Sequence, residues 1–104
     1  MQNMTTFVYK SDGRYLGFIN GDILYSRDGQ YLGWLEGEFA WSSNGQFRGI
    51  LWKEEGHSYI VFKKFSVSPV PRMPRSYPTQ ISVLPDPPKN IPPISLPVGF
   101  EDGF

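Results

Sequence analysis

A repeat of sixteen residues runs through the first half of the chain and constrains the fold more than any other feature. Three segments align without gaps, beginning at Tyr9, Tyr25 and Trp41. Each carries an Asp-Gly or Asn-Gly pair near its start and a second glycine four positions further on. A fixed internal period is the signature of a repeat architecture, in which one supersecondary unit is used several times. The period therefore predicts a fold built from a single repeated unit.

The repeated unit is predicted to be a β-hairpin. The residue pairs typical of two-residue type I′ turns recur along it: Asp12-Gly13, Asn20-Gly21, Asp28-Gly29 and Asn44-Gly45. Glu36-Gly37 stands at the corresponding place of the second unit. Turns then recur every eight residues, which leaves strands of about six residues and no room for a helix. A longer polar turn at Lys53–Gly56 and a strand over His57–Lys63 complete a fourth, degenerate unit. We expect an all-β antiparallel meander of about four hairpin repeats.

Two-residue turns at these places predict which side chains share a face of the sheet. One face carries two rows of mostly large apolar residues: Tyr9, Leu16, Tyr25, Leu32, Trp41 and Arg48, and Phe7, Phe18, Ile23, Trp34, Phe39 and Ile50. The other face carries the glycine-containing row and, near the tips, three further rings: Val8, Gly17, Leu24, Gly33, Ala40 and Gly49, with Tyr15, Tyr31 and Phe47. Glycine inside a strand marks a bend, a bulge or a close backbone approach. Because large exposed apolar patches are uncommon, closure of the sheet, the tail or other chains must cover the apolar face.

The composition changes at about residue 66, where proline replaces glycine. All ten prolines lie between Pro69 and Pro97, and proline has no N–H and a fixed φ. We therefore divide the chain into a hairpin domain, residues 1–65, and a Pro-rich extended tail, residues 66–104. The spacing Pro71-x-x-Pro74 is typical of polyproline-II ligands, although a semi-rigid spacer has similar composition. Apolar residues recur through the tail, so we expect part of it to dock on the hairpin domain or on a neighbouring subunit.

Charge and cysteine content exclude several classes of protein. Ten basic and ten acidic residues give a net charge of zero, so we expect no nucleic-acid partner. The absence of cysteine excludes a disulfide framework and a thiolate zinc site. No apolar run is long enough for a membrane span, and the first residues lack the features of a signal peptide. We expect no membrane association and a cytoplasmic location.

A search for catalytic motifs finds no phosphate-binding loop, metalloprotease motif or nucleophile elbow. We therefore expect no catalytic residue, no cofactor and no bound metal. His57, close to the Glu54-Glu55 pair, is the candidate for a general base, and a solvated residue after a polar turn is the alternative. Asp12, Asp28 and Asn44 recur as calcium ligands do, but each precedes the glycine of its own turn, which favours a structural role.

Aromatic side chains and one arginine are the candidate binding residues. Clustered rings stack sugars, bases or quaternary ammonium groups, and core packing is the alternative. The candidate ligand or interface residues are Tyr31, Trp34, Trp41, Arg48 and Trp52, and the candidate recognition residues of the tail are Pro71 and Pro74. Arg48 stands where other repeats have leucine, which fits a pore, a subunit contact or a strand end that reaches solvent.

The repeat resembles the 4-fold beta flower domain, a small bacterial domain of β-hairpin petals. The resemblance covers Tyr9–Leu51 and is clearest over Asp12–Phe18 and Asp28–Trp34. Choline-binding and MORN repeats share the mixture of glycine and aromatics, but their periods are longer. The resemblance implies a β-petal fold with a proline-containing extension, matched by Ser66–Phe104, and it implies no activity. The fourfold arrangement can arise within one chain or between chains.

These observations predict a non-enzymatic structural or protein-interaction module. Its hairpin body would form a homo-oligomer, or it would present the Pro-rich tail to a protein partner. A small-ligand-binding module that uses an aromatic cleft between hairpins is the alternative. An enzyme that acts through His57 is a third hypothesis.

Overall fold

The computed structural model describes residues 5–64, 69–75 and 84–104. Within these ranges the protein is all-β, as predicted, and contains no helix, so none there could cross a membrane. The predicted domain boundary at about residue 66 and the apolar tail residues Ile81 and Val83 lie outside the described residues. The strands are β1 (Thr5–Tyr9), β2 (Tyr15–Asn20), β3 (Ile23–Ser26), β4 (Tyr31–Glu36), β5 (Phe39–Ser42), β6 (Phe47–Glu54), β7 (His57–Lys63) and β8 (Phe100–Asp102).

The sheet closes into a barrel of seven strands within one chain. Consecutive strands pair in antiparallel fashion from β1 to β7, and β1 then pairs with β7 in parallel, with Val8 opposite Ser58. The last strand, β8, pairs antiparallel with the second half of β7, where Val61 lies opposite Asp102. Two short pairings therefore complete the closure, which removes the open sheet edges that would otherwise template association.

The Asp-Gly and Asn-Gly tips are three-residue loops and not the predicted two-residue turns. At the first tip, the Lys10 N–H donates to the Arg14 carbonyl and the Gly13 N–H donates to the Lys10 carbonyl, both at 2.9 Å. Gly13 has a φ of 90°. This is the hairpin in which a type I turn ends in a glycine bulge. The second and third tips, Arg27–Gly29 and Ser43–Gly45, repeat the pattern.

The opposite end of the barrel has two-residue loops. Two of them, Gly21-Asp22 and Gly37-Glu38, lie one residue later than predicted. A positive φ at their first residue alone matches a type II′ turn, whereas Glu55 and Gly56 both have positive φ, as in a type I′ turn. Lys53 and Glu54 therefore continue β6, and the predicted four-residue polar turn is wrong. The predicted strand over His57–Lys63 is confirmed.

A β-bulge in each repeat places the side chains on faces other than those predicted. Val8 lies opposite Gly17 but Tyr9 lies opposite Tyr15, so Leu16 is an extra residue in β2. Leu32 and Arg48 occupy the same place in β4 and β6. Because a bulge shifts the alternation of side chains by one, the predicted row that mixed tyrosines with these leucines is wrong. The rings at 15, 31 and 47 likewise lie beside the other aromatics and not on the glycine-containing face.

The buried cluster inside the barrel is aliphatic, and the aromatic residues of the hairpins lie on the outer surface. The inner cluster consists of Val8, Ile19, Leu24, Leu35, Ala40 and Ile60, with Leu16, Leu32, Leu51 and Phe104 packed against it. A second cluster on the outer surface holds Tyr9, Tyr15, Tyr59 and Val61, and Ile91, Ile94 and Leu96 of the tail pack on it. Closure thus covers one face of the sheet, and tail residues cover part of the other.

The repeated strand glycines stand where two backbones meet. A Cβ on Gly33 would lie 1.9 Å from the carbonyl oxygen of Trp41 in the next strand, and Gly17 and Gly49 approach Tyr25 and Val61 of their next strands in the same way. Real Cβ atoms essentially never come within 3.0 Å of another heavy atom. The predicted bulge and the predicted close approach therefore occur together.

Candidate functional site

Residues 69–75 lie across the tip of the third hairpin. The Arg72 N–H donates to the Gly45 carbonyl at 2.8 Å, and the Arg75 N–H donates to the Ser43 carbonyl at 3.2 Å. A Cβ on Gly45 would lie 1.8 Å from the Arg72 carbonyl oxygen. Only glycine at position 45 therefore allows the two backbones to approach this closely.

The two arginines of this segment cover a pair of stacked indole rings. The rings of Trp34 and Trp41 lie 6.5 Å apart at an interplanar angle of 17°. The guanidinium carbon of Arg75 lies 4.5 Å from the centre of the Trp34 ring, and that of Arg72 lies 5.1 Å from the centre of the Trp41 ring. Guanidinium groups favour the negative face of an aromatic ring, so these contacts are attractive as well as space-filling.

Glu36 joins the arginines to the indoles. Its Oε1 lies 3.0 Å from Arg72 Nη2, and its Oε2 lies 2.9 Å from Arg75 Nη2. The Nε1–H of Trp34 donates to Oε2 at 3.0 Å. The indole hydrogen bond and the two guanidinium charges hold the pKa of Glu36 below its ordinary value. We call Trp34, Glu36, Trp41, Ser43 and Gly45 the third-tip site.

The predicted aromatic cleft is thus filled by the chain itself. Trp34 and Trp41 are only 1% and 0% exposed. The Nε1 atom of Trp41 is buried and has no hydrogen-bond partner within residues 5–64, 69–75 and 84–104. Sequence reasoning found both tryptophans but missed Glu36, Arg72 and Arg75. Two arginines spaced by three residues in a proline-rich segment were the available signal, because such a segment repeats every three residues.

The other predicted residues lie elsewhere. The Nε of Arg48 donates to the Gly103 carbonyl at 2.6 Å, and its guanidinium lies over the Phe104 ring. Arg48 therefore holds the segment that follows β8 against the barrel. The ring of Trp52 lies 5.5 Å from that of Phe100 in the outer cluster. Tyr31 is half-buried beside Tyr25 on the aromatic surface.

A second tail segment binds the tip of the first hairpin by the same backbone contacts. The Ile91 N–H donates to the Gly13 carbonyl at 3.0 Å, and the Ile94 N–H donates to the Ser11 carbonyl at 2.8 Å. A Cβ on Gly13 would lie 1.8 Å from the Ile91 carbonyl oxygen. We call Tyr9, Ser11, Gly13 and Tyr15 the first-tip site.

The outward side of residues 69–75 is strongly exposed. Val70 and Met73 are 81% and 84% exposed, and Pro71 and Pro74 are exposed beside them. The predicted recognition prolines are therefore accessible, and apolar side chains flank them. We call Val70, Pro71, Met73 and Pro74 the tail ridge.

An open cleft lies beside β8. It has a volume of about 300 Å³ and is lined by Gln46, Phe47, Arg48, Phe62, Glu101, Asp102 and Gly103. Asp102 accepts hydrogen bonds from the N–H and the Oγ–H of Ser11, at 2.8 and 2.9 Å. These two bonds join β8 to the first hairpin and so complete the barrel wall.

The candidate general base, His57, lies opposite Glu54 where β6 and β7 pair. The ring of His57 packs edge-on against Tyr9, with 5.4 Å between ring centres. No group of three or more His, Asp or Glu side chains in the described part of the chain is arranged to hold a metal ion. His57 therefore has the ring of Tyr9 on one side and Glu54 on the neighbouring strand.

Comparison with known proteins identifies a family. The family model described as "4-fold beta flower protein" matches residues 2–99, which include the hairpins and most of the tail. Neither the curated proteins nor the solved structures contain a match. The match agrees with the resemblance found in the repeat.

Proposed function

The chain belongs to the 4-fold beta flower family, whose function is unknown, and we propose that it is a non-enzymatic protein-interaction module. Its barrel holds the tail ridge in a fixed extended conformation and offers it to a partner protein. The observation that carries this proposal is the 81% and 84% exposure of Val70 and Met73 beside anchored arginines.

The spacing of contacts in this segment is that of a polyproline-II helix. Such a helix has three residues per turn. Arg72 and Arg75 both face the barrel through their N–H groups and guanidinium groups. The intervening residues then form two outward rows, Val70 with Met73 and Pro71 with Pro74. Partial burial at every third residue from Pro85 to Ile94 supports the same conformation in the second tail segment.

A pre-formed ridge is well suited to recognition by another protein. Domains that read proline-rich ligands dock two prolines spaced by three positions into aromatic grooves. Holding the segment in its bound conformation removes most of the ordering cost of binding. Val70 and Met73 add apolar area on the adjoining row.

The test is a titration of the isotope-labelled full chain with three purified probes, an SH3, a WW and an EVH1 domain, followed by amide chemical shifts. Saturable shifts confined to residues 69–75 are expected with at least one probe. The variant Pro71→Ala/Pro74→Ala should weaken that binding about tenfold or more, while its thermal unfolding stays unchanged. Absence of shifts with all three probes at millimolar concentration would contradict the proposal.

Self-association is a second candidate, favoured by the exposed apolar side chains. Val70, Met73, Val98 and Phe39 are large and exposed, and such residues on a monomer are typical of an interface when they form one patch. Light scattering after size exclusion at several concentrations tests it. A mass above one chain that falls to one chain in Val70→Ser/Met73→Ser supports self-association. A single-chain mass at every concentration refutes it.

A further inference from the structure

We propose that the first-tip and third-tip sites are two copies of one receptor for proline-rich segments, and that the third-tip site selects arginine. Its ligand in another protein would carry the sequence Arg-x-Pro-Arg, which the tail of this chain imitates. The inference concerns the barrel side of the contact and does not depend on the tail ridge.

The two sites bind their segments with the same pair of hydrogen bonds. In each, the first ligand residue donates its N–H to the tip glycine carbonyl, and the fourth donates to the carbonyl of the serine two positions earlier. The donors are Arg72 and Arg75 at one site and Ile91 and Ile94 at the other. Both glycines would place a Cβ 1.8 Å from the first ligand residue's carbonyl oxygen. A contact that recurs on two unrelated segments is a property of the tip.

The same bonds explain where proline is allowed. The first and fourth ligand residues must donate an N–H, so neither can be proline. The second and third residues make no such bond and are Met73-Pro74 at one site and Pro92-Pro93 at the other. The receptor therefore reads a four-residue frame in which proline is excluded from the ends and favoured inside.

The side chains beside each tip determine which end residues fit. At the first-tip site, Ile91 and Ile94 pack on the outer cluster that contains Tyr9 and Tyr15. At the third-tip site, two indole faces and the Glu36 carboxylate receive guanidinium groups. A planar guanidinium both stacks on a ring and bonds a carboxylate, which lysine and isoleucine do not reproduce. Arginine selectivity follows from these three side chains.

The tail occupies the third-tip site in the same molecule. A tethered segment acts at an effective concentration in the millimolar range, so a free ligand competes poorly with it. The receptor is therefore closed to other proteins until Arg72 and Arg75 leave. Replacing both by alanine removes the guanidinium contacts that hold the tail, and so favours an open site without altering the barrel residues that form it.

The experiment uses the full chain carrying Arg72→Ala and Arg75→Ala. The probe is a capped heptapeptide with the sequence of residues 69–75, and tryptophan fluorescence and the indole N–H signals report its binding. We expect saturable binding to the variant that is about tenfold or more tighter than to the unaltered chain. A peptide with isoleucine at both arginine positions should bind the variant about tenfold or more weakly than the parent peptide.

Two further variants complete the test. Adding Glu36→Gln to the open variant should weaken the arginine peptide but not the isoleucine peptide, which assigns the selectivity to the carboxylate. If the double variant does not fold, Arg75→Ala alone provides the open site. Equal binding of both peptides, or no binding of either at millimolar concentration to a folded variant, overturns the proposal. Neither result bears on recognition of the tail ridge by SH3, WW or EVH1 domains.

Discussion

Replacing Gly33 by alanine should destabilise the barrel far more than replacing Gly37, four residues further along the same hairpin. A Cβ at position 33 would lie 1.9 Å from the Trp41 carbonyl oxygen, about 1 Å inside the closest distance that real Cβ atoms show. At position 37 it would meet nothing within 4 Å, and the φ of 62° is the only obstacle. The two substitutions thus add the same methyl group to the same hairpin and differ in the space that surrounds it.

The expected magnitudes follow from these distances. Separating β4 from β5 by about 1 Å overpacks the wall, at about 1–3 kcal/mol, and stretches ladder hydrogen bonds, at about 1 kcal/mol each. We therefore expect Gly33→Ala to lower the free energy of unfolding by about 3–4 kcal/mol. A left-handed alanine at position 37 costs about 1 kcal/mol, part of which is offset because alanine reduces the entropy of the unfolded chain.

Thermal unfolding followed by circular dichroism separates the two cases. At roughly 4 °C per kcal/mol for a domain of this size, Gly37→Ala should lower Tm by at most about 4 °C and Gly33→Ala by about 12 °C or more. Failure of Gly33→Ala to fold beside a folded Gly37→Ala agrees with the same reasoning. Two variants within about 1 kcal/mol of each other in urea unfolding would refute the close-approach argument.

Three further predictions concern single side chains. The pKa of Glu36 is lowered in the folded chain, so the stability that this carboxylate contributes is present above its ordinary pKa of 4.5 and is lost as pH falls through the lowered pKa. Glu36→Gln should therefore make Tm, measured by fluorescence, less sensitive to pH below about 4.5. Burial raises the pKa of Tyr59 above 10.0, so the contribution of this phenol to stability is complete below that pH and is lost as pH rises through the raised pKa. In urea unfolding, Tyr59→Phe should therefore lose less stability above about pH 10 than the unaltered chain does. Asp102→Ala removes both hydrogen bonds from Ser11 and should cost about 2 kcal/mol, whereas Asp102→Asn, which keeps an acceptor, should cost less in the same assay.

The sequence located the tips but not their length. An Asp-Gly or Asn-Gly pair suits a two-residue type I′ turn and also the end of a three-residue loop with a glycine bulge. A period of sixteen residues constrains only the total length of strands and loops in one repeat. The first Asp-Gly loop has one residue more than predicted, and the loop that follows it begins at Gly21, one position later than predicted. Register inferred from turn chemistry alone could not detect this compensation.

The bulges explain why the faces were misassigned. One extra residue at Leu16, Leu32 or Arg48 reverses the alternation of side chains within a strand. The strand glycines were the visible sign of these bulges, but glycine does not show which neighbour is the extra residue. Arg48 was singled out because it interrupts a leucine position. Its partners, Gly103 and Phe104, lie too far away in the sequence for any local pattern to suggest them.

The third-tip site likewise combines residues that the local sequence indicates with partners that lie far away in the sequence. Trp34 and Trp41 were recognised as candidate ligand or interface residues because both lie on the predicted apolar face. Their cover comes from Arg72 and Arg75, more than thirty residues after Trp41 in the sequence, and no periodicity joins the two regions. All-β structure and family membership were predictable from local residues, whereas the contacts that fill the site depend on tertiary structure.

Closure of the barrel by two short pairings, of β7 with β1 and with β8, has a consequence for the order in which the protein folds. The hairpin tips join residues that are neighbours in sequence, and isolated hairpins form within about 1–10 μs. The bonds between Ser11 and Asp102 join residues 91 positions apart, and such contacts form only after the entropy of closing a long loop has been lost. Folding therefore separates into rapid formation of the hairpins and slower closure of the barrel. We call the place where β1, β7 and β8 meet the seam. Until the seam forms, β1 and β7 present unpaired edges, and this is the interval in which the chain is most exposed to aggregation.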